Sequence, residues 1–165
     1  MNLERIVIVC CSAATVGTGL AGGIFFAFSS FVMRALGAVP PRAGIAAMNA
    51  INVTVINPGF MLVFLGTAVL SVGLALASFR WWGSLDGALL LVASLLYLVG
   101  CLGVTMVRNV PLNDALAALG PDPSDSTGLW SRYLVEWTRW NHVRTLSCLG
   151  STILLVTVLV RRAGG

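Results

Sequence analysis

Four stretches of this chain run without a single charged side chain: residues 6–33, 43–79, 87–107 and 145–160, or 28, 37, 21 and 16 residues. A hydrocarbon core of about 30 Å is crossed by about 20 apolar residues in helical form. A helix is required because every backbone N–H and C=O must find its partner within the segment. The first and third runs each make one span. The second is too long for one, and Asn57-Pro58-Gly59 divides it. Proline removes a backbone donor and disfavours helix in the residue before it, so the pattern predicts a polar helix over 43–56 and a span over 58–79. The fourth run is short, but helical patterning reaches upstream to about residue 129. It therefore reads as the membrane-spanning half of one long helix whose first half is amphipathic. The expected fold is all-α: a four-helix transmembrane bundle with an amphipathic extension of the fourth helix, in a single domain over residues 1–165. Residues 120–128, rich in Pro, Asp and Ser, are expected to be a solvent-exposed turn.

Composition excludes the soluble alternatives. Only 10% of residues are charged, against about 25% in a typical soluble domain. All ten basic residues are arginines and they are scattered, so the net charge of +4 makes no cationic stripe of the kind nucleic acid requires. Cys10, Cys11, Cys101 and Cys148 lie within apolar runs and form no C-x-x-C pair, which reads as buried packing. With Arg5 as its only basic flank, the first run reads as an uncleaved span and not as a signal peptide. Gly19 and Gly23 make a G-x-x-x-G pair, a signal for close helix packing that also leaves self-association open. The expected location is integral and multi-pass, in a membrane of the bacterial inner type.

An even number of spans has a topological consequence. Both termini and the 80–86 connection must share one side of the membrane, and segments 34–57 and 108–144 must share the other. The arginines divide as Arg5, Arg80, Arg161 and Arg162 against Arg34, Arg42, Arg108, Arg132, Arg139 and Arg144, so charge counting does not orient the chain.

Polar chemistry is concentrated in the second group. At 100° per residue, Trp130, Tyr133, Trp137, Trp140, Asn141 and Arg144 fall within an arc of about 100° on one helix face. Arg132, Glu136 and Arg139 lie off it at ion-pairing spacing. Such a face can be an interfacial aromatic belt. It can also be the wall of a pocket for a flat, oxygen-bearing molecule, since Arg144 opens an apolar run and needs a partner or a wet cavity at that depth. Asn49 and Asn52 on the short helix, and Arg108, Asn109 and Asn113 after the third span, fall on the same side. For Asn57 and Asn113, capping and turn formation compete with a site role. His142, the only histidine, lies about 150° from the centre of the aromatic arc, so a structural role and a base role both stay open.

Asn109-Val110-Pro111-Leu112-Asn113, followed by Trp130, Tyr133, Trp137, Trp140-Asn141 and Arg144, resembles the anthrone oxygenase family of small four-span membrane proteins. Gly22-Gly23 with the Phe25 to Met33 stretch, and Met48-Asn49 through Asn57, fit the same pattern, so the resemblance covers nearly the whole chain. It implies oxidation of an anthrone-type aromatic polyketide to a quinone by dioxygen, as in secondary metabolism, without flavin, haem or metal. Its partners would be the aromatic substrate, dioxygen and the lipid bilayer, with no nucleic acid. On this reading His142 and Arg144 are the catalytic candidates. Asn49, Asn52, Arg108, Asn109, Asn113, Tyr133, Trp137, Trp140 and Asn141 are the substrate-binding candidates, with Trp137 and Trp140 forming the aromatic slot. A single histidine and no intramembrane acid make a poor metal site. The competing readings are a non-enzymatic binding or transport subunit using the same pocket, and a haem- or quinone-binding subunit.

Overall fold

The computed structural model describes residues 3–119 and 123–164, and among these the ordered elements are all helical. They are α1 (Leu3–Ala27), α2 (Met33–Ala38), α3 (Pro41–Thr54), α4 (Pro58–Ser78), α5 (Leu85–Leu95), α6 (Val110–Ala117) and α7 (Pro123–Ala163). A π-helical stretch, Phe28–Val32, fuses α1 to α2, and two more, Leu96–Gly103 and Thr105–Asn109, fuse α5 to α6. Four continuous rods result that are long and apolar enough to cross a membrane: Glu4–Ala38, Pro58–Trp81, Leu85–Ala117 and Gly128–Ala163. The protein is a four-span helical bundle, and α7 carries the expected extension. The expected turn is shorter than 120–128: Gly120, Pro121 and Asp122 lie outside the described residues, and the chain is helical from Pro123 onwards. Proline is well placed there, because the first helical position needs no N–H partner.

Local chemistry explains the breaks. Asn57 caps α4, accepting from the Phe60 N–H at 3.0 Å while its amide donates to the Thr54 carbonyl at 3.0 Å, so the capping reading holds at this position. Gly83, with φ of +84°, makes the tight reversal after α4, and Ser84 caps α5 through the Gly87 N–H at 3.2 Å. Pro111 sits inside the third rod. It lacks the N–H that would reach the Val107 carbonyl and its ring crowds that carbonyl, and the π-helical register over Thr105–Asn109 accommodates both defects.

The two ends of the bundle are assembled as the even span count requires. On the terminal side, Asp86 pairs with Arg161 at 2.8 Å and Arg162 at 3.2 Å, and Arg162 stacks over Trp81 at 4.2 Å. On the other side α3 packs against α2, α6 and α7, bringing segments 34–57 and 108–144 together. Between them the rods are joined by interhelical hydrogen bonds, among them Thr18 to Thr152 at 2.8 Å, Ser151 to the Ala93 carbonyl at 2.8 Å and Tyr97 to the Phe64 carbonyl at 2.9 Å. Such bonds and close backbone approach supply what the hydrophobic effect cannot supply between helices in lipid. Among the close approaches are Gly17, where a methyl would overlap the Thr67 hydroxyl, Gly100, where it would overlap the Ser147 hydroxyl, and Gly22, where it would lie 3.0 Å from the Cys148 Cβ. Gly19 and Gly23, the pair singled out by spacing, meet nothing within 4 Å in this chain.

Candidate functional site

Three of the four rods, of 33 to 36 residues, are longer than one crossing of the bilayer needs. Counting about 20 residues from the terminal-side ends of the four rods puts the far edge of the hydrocarbon near residues 24, 61, 105 and 143. At that level a cavity of about 270 Å³ opens between α1, α3, α4, the Thr105–Asn109 stretch and α7. That is just under the range of roughly 300–1,000 Å³ in which small-molecule sites fall. Phe25, Phe28, Phe60, Phe64, Met48 and Trp137 supply an aromatic and thioether lining, and Asn52, Thr105, Asn113 and Arg144 supply the polar groups. Phe60 and Phe64 stack with centroids 5.6 Å apart, and Phe25 meets Phe64 edge-on at 6.4 Å, so the slot walls are fixed by ring packing.

Arg144 is the central polar group. It is buried, with its guanidinium 4.2 Å over the Phe25 ring and 4.9 Å over Trp137. Nη2 donates to Asn141 Oδ1 at 2.6 Å and Nη1 to Thr105 Oγ1 at 3.3 Å, while Nε is buried without a partner. Among the described residues no carboxylate pairs with it. A buried cation left with neutral neighbours is unfavourable unless something anionic completes it.

A second polar group lies near the α3 and α6 side. Asn113 Oδ1 accepts from the Tyr133 hydroxyl at 2.8 Å and from the Trp137 indole N–H at 2.9 Å, and Asn52 Nδ2 is buried with no partner. Of the six residues on the helix face expected at 130–144, five point inward and are buried, Trp130, Tyr133, Trp137, Asn141 and Arg144, while Trp140 is half-buried. The face packs with Met33, Met48 and Leu116, so it is a wall inside the protein and not an aromatic belt.

The residues expected at the site are distributed as follows. Asn52, Asn113, Trp137 and Arg144 are on the cavity wall. Tyr133 and Asn141 stand directly behind it, bonded to Asn113 and Arg144. Asn109 is buried and donates to the Trp137 carbonyl at 3.1 Å, pinning the π-helical stretch to α7. Arg108 and Trp140 stack on each other at 4.7 Å and are not on the wall. Asn49 is half-buried on α3, its Oδ1 unpartnered, and also off the wall. His142 is exposed and does not line the cavity. Missing from the sequence reading were Phe60, Phe64 and Thr105. The first two are apolar residues in an apolar span, and a threonine there carries no signal of its own.

The profile of the anthrone oxygenase family matches residues 60–154, more than half of the chain. The protein belongs to the anthrone oxygenase family. No curated protein and no solved structure matches it. In this anthrone oxygenase family member the matched segment carries Phe60, Phe64, Thr105, Asn113, Trp137 and Arg144 of the cavity wall. The opposing wall, from α1 and α3, lies upstream of the matched segment.

Proposed function

We propose that the cavity binds an anthrone-type aromatic and that the protein oxidises it to the quinone with dioxygen, releasing one water. The buried guanidinium of Arg144, with no carboxylate partner among the described residues, on an aromatic-lined cavity carries this reading. An anthrone's methylene proton is acidic because its loss gives a delocalised aromatic alkoxide, flat and negatively charged at oxygen. Phe25, Phe64 and Trp137 suit the rings, and Arg144, held by Asn141 and Thr105, suits the oxyanion.

The chemistry then balances without a further reductant. Stabilised by Arg144, the substrate gives its methylene proton to water, and the anion passes one electron to dioxygen. The resulting superoxide and carbon radical combine to a peroxide, which takes a proton to become the hydroperoxide. Loss of water, made from the terminal OH and the remaining hydrogen on that carbon, leaves the second carbonyl. Anthrone and dioxygen are thereby converted into anthraquinone and water. The protein's share is to favour the anion, orient it and exclude bulk water. The physiological substrate would be a polyketide of this type.

The test is turnover of anthrone by the purified, reconstituted protein, followed as anthraquinone absorbance together with oxygen uptake. A rate well above that of empty vesicles, one oxygen consumed per quinone, and its loss in Arg144→Ala are the expected results. Binding of anthrone without acceleration would overturn the oxygenase reading in favour of a binding or transport subunit.

A further inference from the structure

We propose that ligands enter this cavity sideways, from the bilayer, and that its substrates are aromatic compounds dissolved in the membrane close to the headgroup boundary. The proposal rests on the reading of the cavity as the substrate site. Three residues of the cavity wall are exposed at the protein surface, Ile24, Ile56 and Met106, at 38%, 71% and 58%. All three are apolar; Ile24 lies on α1 and Met106 on the Thr105–Asn109 stretch, while Ile56 lies in the connection between α3 and α4, just beyond the edge counted near residue 61. Of the cavity's polar wall residues, Arg144 is only 5% exposed, and Asn52, Thr105 and Asn113 are half-buried.

A mouth onto water would carry a polar rim, because an exposed apolar opening is unfavourable there and a charged ligand would be drawn in by charged groups. This mouth has the opposite polarity gradient, apolar outside and cationic inside. Its depth agrees. Ile24 and Met106 stand about 30 Å along their rods from the terminal-side ends, at about 1.5 Å per residue. That is the far edge of the hydrocarbon core. An aromatic body with an oxygen at one side gathers at this level for the reason that Trp and Tyr side chains do, since its rings prefer the hydrocarbon and its oxygen the wet edge. Such a compound would pass between the rods rings first. It would then meet Phe25, Phe64 and Trp137 before its oxygen reached Arg144.

Two measurements test the route, with anthrone as the probe and the protein in phosphatidylethanolamine/phosphatidylglycerol vesicles. In the first, Met106→Trp and Ile56→Trp narrow the mouth without touching the inner wall, while Val69→Trp and Val99→Trp add the same bulk elsewhere on the exposed apolar surface. The mouth variants should lose about tenfold in kcat/KM and the others should match the wild type. Equal behaviour of the two pairs would overturn the proposal.

The second measurement needs no turnover. A nitroxide attached at Met106→Cys in a Cys10→Ala background should collide with dioxygen and not with a water-soluble nickel chelate, as the same label does at Val99→Cys. Relaxation by the chelate comparable to that of a label at Asp114→Cys would place the mouth in water and overturn the proposal. Failure of wild-type protein to oxidise anthrone, with the Met106 label still shielded from nickel, would sink the oxygenase reading and leave the lipid-facing mouth standing.

Discussion

Asn141 holds Arg144 from one helical turn away: its Oδ1 accepts from Arg144 Nη2 at 2.6 Å. The same amide donates from Nδ2 to the Phe25 carbonyl and to the Ser29 hydroxyl, each at 2.6 Å. One side chain thus ties α7 to α1 and fixes one edge of the guanidinium, while Thr105 contacts another. Orientation set in advance is what makes a charged group effective toward an anion, because little reorganisation remains when charge develops.

Replacing Asn141 with Asp separates positioning from charge. The carboxylate would still face Arg144, but it would supply the counterion that the native site leaves open and would forfeit the donors to Phe25 and Ser29. Turnover of anthrone should fall about 100-fold, in the range seen when one oxyanion-stabilising group is lost. Wild-type turnover in Asn141→Asp would show that Arg144 needs no free positive charge.

The glycines of α1 make a prediction about packing alone. Gly17→Ala forces a methyl onto the Thr67 hydroxyl, and Gly22→Ala presses one to 3.0 Å from the Cys148 Cβ. Overpacking of this kind costs about 1–3 kcal/mol. Gly19→Ala and Gly23→Ala add a methyl where nothing lies within 4 Å. Thermal unfolding in detergent should separate the two pairs, with only the first lowering Tm. A reversed order would mean that α1 is rotated relative to the placement described.

These glycines also show how far the sequence could be read. Span number and the meeting of segments 34–57 and 108–144 follow from run lengths and parity, which depend only on the bilayer's thickness. The inward face of α7 follows from 100° periodicity, because polar and aromatic residues there contrast with their neighbours. On α1 and α4 that contrast is missing. Phe25 is buried and Phe26 is 62% exposed, yet both are apolar, since lipid and protein interior ask for the same residues. For the same reason the spacing of Gly19 and Gly23 could not say which way the pair points. The π-helical stretches were illegible too, since no residue type marks them.

Trp130 should matter to stability more than to chemistry. It is buried, stacked on Tyr133 with centroids 5.6 Å apart, and seated where a Cβ on Gly44 would come within 2.7 Å of its ring. It is not on the cavity wall. Trp130→Ala should therefore destabilise by about 3–5 kcal/mol, while protein that remains folded at low temperature keeps most of its turnover. A folded Trp130→Ala variant as inactive as Arg144→Ala would count against a site centred on the guanidinium.

The last prediction concerns proton removal. His142 is the only histidine, and a base must come within about 3 Å of the proton it takes, directly or through one water. Its exposed position off the cavity wall gives it no such approach. His142→Gln, which keeps volume and hydrogen bonding, should therefore change kcat less than threefold, where loss of a general base would cost about 100-fold or more. With water as the acceptor, the rate should instead rise with pH as the substrate ionises, in the wild type and in His142→Gln alike. Arg144→Lys should lower the rate at every pH, since a compact ammonium cannot reach Asn141, Thr105 and the ligand together. A His142→Gln rate that collapses near neutrality and recovers at high pH would reinstate the histidine as base and require a different placement of the substrate.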